Sequence, residues 1–166
     1  GIRISDILTL KWKHITDEKI SIRMRKTEKL LSIPINDYVR AVLDRRRCAV
    51  ENNGGKITSE KYVFNILKVD VDEVSAQDAL NAISSATAGI NKKLKKIAKK
   101  TGIDKNLSTH CARHSYATAL LTNNIPLPVI KEMLGHSDIK VTQIYAKVVD
   151  SKRNEVVECL NKVYHG

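Results

Sequence analysis

The stretch from Ser108 to Tyr145, STHCARHSYATALLTNNIPLPVIKEMLGHSDIKVTQIY, limits what this chain can fold into more than any other. Its punctuation reads as three short helices. Ser108 or Thr109 is the candidate N-cap of the first, and Ala112, Tyr116, Ala119 and Leu120 recur along it at helical spacing. Asn123-Asn124 ends that helix. Pro126 and Pro128 suit the first turn of a second helix, Leu127–Leu134, because a residue there has no intrahelical partner for an N–H. Gly135 closes it as the C′ residue, and Ser137 can cap a last helix carrying Val141, Ile144 and Tyr145.

The same stretch concentrates chemistry. His110 and Arg113 are three apart, so a helix puts them on one face, one turn from each other, where both can point at one ligand. His136 follows Gly135 at a helix junction, held by backbone on both sides. With His114 and Tyr145, these residues form a set suited to holding a phosphate and attacking it with a phenol. Cys111 lies inside the set, but on a helix its side chain points about a hundred degrees away from His110, and it reads as a small packing residue.

Charge narrows the partner. The chain has 166 residues, 29 Lys+Arg against 18 Asp+Glu, a formal net charge of +11 and a pI near 9.6, which favours a polyanion. Nucleic acid comes first. An anionic membrane surface fits less well, since there is no apolar run of spanning length, no basic amphipathic segment with an aromatic face and no signal peptide. Cys48, Cys111 and Cys159 include no C-x-x-C spacing, which favours a reduced, cytoplasmic protein without a structural zinc. A hydrophobic content of 42% over this length supports one domain with a real core.

Elsewhere the period changes. Ile4, Ile7, Leu8 and Trp12 fit the buried side of an opening helix. Ile20, Ile22 and Met24, then Leu31, Ile33 and Ile35, alternate with period two around Thr27-Glu28-Lys29, which predicts a β-hairpin with a lysine at its tip and Pro34 at an edge. Asn36 or Asp37 caps a helix over Tyr38–Val50, with Val39, Val42, Leu43 and Val50 inward and Arg40, Arg45, Arg46 and Arg47 as a basic face. Asp70, Asp72 and Glu73 lack the central Gly and distant Glu of a calcium loop and read as an exposed acidic loop. A long helix spans about Ala76 to Lys100, with an expected stripe of Leu80, Ile83, Ile90, Leu94 and Ile97, a possible kink at Gly89, and Lys92, Lys93, Lys95, Lys96, Lys99 and Lys100 near its end. The expected class is α+β, mainly α-helical, with a small antiparallel β-hairpin at one edge.

Three separated motifs then agree in order and spacing. H-x-x-R-H at His110, Arg113 and His114, L-G-H ending at His136, and a tyrosine nine residues later at Tyr145 resemble the tyrosine recombinase (phage integrase) family. Near the start, Gly1, Arg3 and Ser5 are similar to the family's G-x-R-x-S-E pattern, with Asp6 in place of Glu. The resemblance implies a catalytic-domain fold and a catalytic set of Arg3, Lys26, His110, Arg113, His136 and Tyr145. Lys29 competes with Lys26 for the hairpin position. Arg23, Arg25, Lys29, Lys92, Lys95 and Lys96 are candidates for gripping the DNA backbone. It also implies that residues 1–166 are the catalytic part of a longer protein with an N-terminal DNA-clamping domain, and that a helix over 151–163 packs on a neighbouring protomer in a tetramer on double-stranded DNA.

The chemistry of such a set is coherent without a metal or organic cofactor. A phosphodiester repels nucleophiles and has a poor leaving group, so the site needs cations, a positioned nucleophile and an acid. Arg3 and Arg113 suit the phosphate oxygens, since guanidinium donates two parallel hydrogen bonds and stays charged. His136 adds a donor, His110 is the candidate base for Tyr145, and the resemblance implies Lys26 as the acid for the 5′ oxygen. The expected product is a 3′-phosphotyrosyl bond that allows rejoining without ATP. His114 reads as supporting rather than catalytic. The alternative class is a non-catalytic helix-turn-helix-like DNA-binding module. A metal-dependent nuclease fits less well, because clustered carboxylates are lacking.

Overall fold

Alternation from residue 19 to 34 produces the hairpin. In the computed structural model, which describes residues 1–147, β1 (Lys19–Arg23) and β2 (Leu30–Pro34) pair antiparallel, with Ile20 opposite Ile33 and Ile22 opposite Leu31. Those side chains face one core while Ser21 and Ser32 pair on the other face. The connection closes where Met24 N donates to Lys29 O at 2.9 Å and Glu28 N donates to Met24 O at 2.9 Å. Glu28 takes a left-handed φ of 55° to do so.

The described residues divide into two compact units, Ile2–His110 and Gly1 together with the chain from Cys111 on. The first holds α1 (Ile4–Leu8), a single 3-10 turn at Trp12–His14, the hairpin, α2 (Asp37–Asn52) and α3 (Ala76–Lys100). One of its cores gathers Leu10, Trp12, Ile20, Ile22, Met24, Leu31, Leu43 and Val63. Tyr62-Val63 is held there by antiparallel pairing with the segment after α1: Trp12 N donates to Lys61 O at 3.0 Å and Val63 N to Leu10 O at 2.8 Å. The other core packs Leu8 with Leu67, Val71, Ala79 and Ile83.

Helix limits follow the caps. Asn36 Oδ1 accepts from Val39 N at 3.0 Å at the start of α2, and Ser75 Oγ accepts from Asp78 N at 3.1 Å at the start of α3. The inward faces differ from expectation. On α2, Val42 is exposed and Arg46 is half-buried, its Nε donating to Val63 O at 2.9 Å. On α3, Leu80 and Ile97 face solvent while Ala79, Ile83 and Ala98 are buried. Small side chains let the helix come close to its neighbours, so burial does not follow side-chain size. The helix runs unbroken through Gly89.

The acidic loop is exposed at Asp72 and Glu73, as expected, but Asp70 is half-buried and the loop is tied down by a buried lysine. Lys11, 4% exposed, places its Nζ 2.9 Å from Asp70 Oδ2 and 2.8 Å from Asp72 Oδ2. Tyr62 Oη donates to Asp70 Oδ1 at 2.7 Å and accepts from Val71 N at 3.0 Å. Burial alone would raise the Asp70 pKa. The Asp72 N–H, the Lys11 ammonium and the Tyr62 hydroxyl outweigh it and hold the carboxyl at about 2.

The second unit contains α4 (Thr109–Thr122) from Cys111 on, α5 (Leu127–Leu134) and a helix over residues 140–147, called α6 here. Ala117, Ile130, Leu134 and Tyr145 form its core, with Tyr116, Leu120, Leu121 and Ile125 around them. Pro128 stands in the first turn of α5, and Gly135 takes the left-handed φ of 64° that its C′ place requires. Ala112 and Ala119 are exposed, so the α4 stripe is rotated toward Arg113 and Ala117. Asp138, rather than Ser137, is seen gripping the start of α6, its Oδ1 accepting from Lys140 N at 2.9 Å. The α6 stripe is also displaced: Val141 and Ile144 are exposed while Thr142 and Tyr145 are buried. The helix expected over 151–163 lies outside the described residues.

Replacing Lys11 with Met strands two carboxylates that the ammonium now neutralises, and unfolding in urea should show a loss of about 3 kcal/mol. The wild type has a further signature. Asp70 is held below its ordinary value of 3.8, so its contribution is complete above that pH and disappears as pH falls toward 2. A stability profile between pH 5 and 2 should fall by about 2 kcal/mol more in the wild type than in Asp70→Asn.

Candidate active site

Arg3 sits at the N-cap position of α1 in an extended conformation, where its carbonyl accepts from Asp6 N and Ile7 N, each at 3.0 Å. Its half-buried guanidinium donates through Nη1 to Met24 Sδ at 3.2 Å. Asp6, 3% exposed, accepts from Arg25 N at 3.0 Å through Oδ1. The carboxylate therefore fastens the backbone directly before Lys26. Within this unit the opening motif and the hairpin tip form one hydrogen-bonded assembly. Lys26 and Lys29 are both exposed on the connection: Lys26 lies in the turn beside the fastened Arg25, and Lys29 lends its carbonyl to the closing bond.

The backbone-gripping candidates have varied surroundings. Arg23 donates through Nη1 to Glu28 O at 2.8 Å and so braces the hairpin, and Arg25 Nη1 lies 4.0 Å from Asp72 Oδ1. Lys92, Lys95 and Lys96 are exposed on the last turns of α3. His110 is exposed in the first turn of α4, whose Thr109 N donates to Asn91 Oδ1 at 2.9 Å.

In the second unit Arg113 is only 7% exposed. A buried guanidinium must spend its hydrogens on acceptors, and this one does. Nη1 donates to Gly1 O at 2.6 Å, and Nη2 donates to Leu134 O at 2.7 Å and to His136 Nε2 at 2.9 Å. Guanidinium has no acceptor, so Nε2 contributes a lone pair and the ring proton belongs on Nδ1. Nδ1 stands 2.9 Å from Thr142 Oγ1 and donates to it. His136 is also fixed by its backbone, its N–H donating to Lys131 O at 3.0 Å behind Gly135.

Tyr145 is 5% exposed among the residues that pack behind this pair. Burial raises its phenol pKa above the ordinary value, and the nearby Arg113 charge opposes the shift. His114 lies against it, ring centroids 5.5 Å apart and tilted by 57°. Gly1 fits because it lacks a side chain: a Cβ would come within 2.4 Å of Tyr116 Cδ1. Among the described residues no group of three or more His, Cys, Asp or Glu is placed to hold a metal ion, and no helix is long and apolar enough to cross a membrane.

Thr142 and Met24 are site residues that motif reading missed. Thr142 stands one helical turn before Tyr145, so the i, i+3 rule would have placed it beside the tyrosine had Val141 and Ile144 not suggested another face.

The model of the phage integrase family matches residues 1–152, and the chain belongs to that family. Tyrosine recombinase XerD of Listeria monocytogenes serotype 4b (strain F2365) is 47% identical over 159 residues, 94% of this chain and 49% of that protein. Tyrosine recombinase XerA of Saccharolobus solfataricus (strain ATCC 35092 / DSM 1617 / JCM 11322 / P2) is 30% identical over 162 residues, 97% of this chain and 47% of that protein. The chain thus spans about half the length of these curated relatives. Among solved structures, a crystal structure of XerA recombinase covers 100% of this chain and 54% of its own, with a TM-score of 0.66 and 23% identity. XerH recombinase in a post-cleavage complex with palindromic difH substrate covers 95% of this chain and 41% of its own, with a TM-score of 0.66 and 22% identity. These likenesses establish the fold as that of a recombinase catalytic region.

Arg113→Ala should leave Leu134 O, Gly1 O and His136 Nε2 without their donor and cost about 3 kcal/mol in urea unfolding. The phenolate absorbance of Tyr145, obtained as wild type minus Tyr145→Phe, should have its midpoint above pH 10, with that group's contribution to stability intact below pH 10 and declining above it.

Proposed function

We propose that this chain is the catalytic domain of a site-specific DNA recombinase or integrase that cuts and rejoins double-stranded DNA through a 3′-phosphotyrosyl intermediate. One observation carries this reading: a buried arginine and histidine, hydrogen-bonded to each other, share one packed unit with a buried tyrosine in the family's order and spacing.

In this reading Arg3 and Arg113 bind the non-bridging oxygens, and His136, whose Nε2 accepts from Arg113 and whose one ring N–H goes to Thr142, steadies that guanidinium instead of supplying the phosphate donor its motif suggested. Tyr145 attacks phosphorus while His110 takes its proton, and Lys26 protonates the 5′ oxygen as it leaves. Raised phenol acidity would not drive this attack, since burial works against it, so the base is needed. Gly1, which gives its carbonyl to Arg113, precedes Arg3 by two residues. The net charge of +11 suits DNA, and Arg23, Arg25, Lys29, Lys92, Lys95 and Lys96 serve its backbone. The XerH structure described above is a complex with its DNA substrate. The wider proposal is a metal-independent cytoplasmic enzyme acting as a homo-tetramer on DNA through residues 151–163, with an N-terminal clamping domain completing the grip.

The test uses a pool of duplexes of randomised sequence, each nicked so that the fragment released by cleavage diffuses away. The native chain should yield a denaturation-resistant protein–DNA adduct in EDTA, and Tyr145→Phe should yield none. A mere DNA-binding module would give no adduct with either chain, and an adduct that vanished in EDTA would overturn metal independence.

A further inference from the structure

Thr142 is fully buried, at 0% exposure, and its hydroxyl meets the one ring nitrogen of His136 that Arg113 does not. It also lies one turn before Tyr145 on the buried side of α6. A neutral imidazole has one donor and one acceptor, and the arginine can only donate. Both nitrogens are therefore assigned by their neighbours. Nε2 accepts from the guanidinium, and Nδ1 needs an acceptor, which the threonine hydroxyl supplies.

We propose that Thr142 is a positioning residue: its Oγ1 accepts the Nδ1 proton that donation from Arg113 leaves on His136, fixes the ring's orientation beside Arg113, and links that pair to the helix that carries Tyr145. The role depends on the hydroxyl rather than on bulk. Valine has nearly the same shape and keeps the packing, but takes the threonine's oxygen away from the imidazole. Serine keeps the acceptor and loses a methyl group. The consequence for DNA cleavage rests on the function proposed above, whereas the tautomer does not.

Two readouts test it on the 166-residue chain. Nitrogen-15 NMR of the histidines, with His136 identified by its absence in His136→Gln, should find protonated Nδ1 and unprotonated Nε2 in the wild type and in Thr142→Ser. In Thr142→Val the arginine still holds Nε2 unprotonated, but the Nδ1 proton, no longer held by an oxygen, should resonate upfield of its wild-type position and exchange faster with solvent. Adduct yield on the nicked duplex pool should stay within about threefold of wild type in Thr142→Ser and fall about tenfold or more in Thr142→Val, the size expected for one lost buried hydrogen-bond partner. A wild type protonated at Nε2 overturns the proposal, as does a Thr142→Val chain with an unchanged Nδ1 proton resonance or an unchanged yield, or a Thr142→Ser chain as impaired as the valine. If Thr142→Val does not fold, the wild-type and serine spectra still decide. If the wild type forms no adduct at all, the recombinase reading fails, and the spectra alone judge the hydrogen bond.

Discussion

A guanidinium taken out of water has to be satisfied by the protein, and Arg113 meets that demand with three acceptors from distant parts of the sequence. Gly1 O, Leu134 O and His136 Nε2 all receive its hydrogens. Each of those acceptors is in turn placed by local chemistry. Leu134 ends α5 because Gly135 can turn left-handed there, and His136 is delivered by the same turn. Gly1 approaches closely because it has no side chain to collide with Tyr116. The energetic cost of burying the charge is offset only while all of these hold, so the arginine makes the unit's geometry mutually dependent.

The first unit solves a similar problem with Lys11. Its ammonium is buried against Asp70 and Asp72, and Tyr62 completes the carboxylate's shell. That arrangement anchors the chain between α2 and α3, a stretch with little regular structure. Asp6 does comparable work at smaller scale, holding Arg25 N so that the hairpin tip is tied to the motif at the start of the chain. The few buried charged groups act as internal fasteners, while most of the lysines and arginines among the described residues are exposed to solvent.

Punctuation in the sequence was a better guide than side-chain size. The limits of α5 were legible because Pro126, Pro128 and Gly135 act locally, through a missing donor or a left-handed φ. The hairpin was legible because period two leaves little freedom of register. Which helix face turned inward was not. Leu80, Ile97, Val42, Val141 and Ile144 are exposed, while Ala79, Ala98 and Thr142 are buried. A stripe is chosen by what it packs against, and a single helix does not contain that information. The acidic loop was read correctly as exposed at Asp72 and Glu73, but its anchor was not legible, since Lys11 and Asp70 are partners only once the chain has folded.

The candidate site residues were legible as motifs, yet their protonation states are properties of the folded unit. Tyr145 carries a phenol whose burial disfavours the anion, and Arg113 only partly opposes that. A protonated phenol is a poor nucleophile, so on the proposed mechanism Tyr145 attacks only when a base takes its proton beside a bound phosphate. His136 presents a lone pair to Arg113, and its remaining nitrogen is engaged by Thr142. On the proposed mechanism a phosphate reaching Arg113 would have to compete with Leu134 O, Gly1 O and the imidazole for the same hydrogens. The site is thus built in advance, but its donors are occupied by the protein's own acceptors, and a bound phosphate must offer the guanidinium better hydrogen bonds than those it displaces.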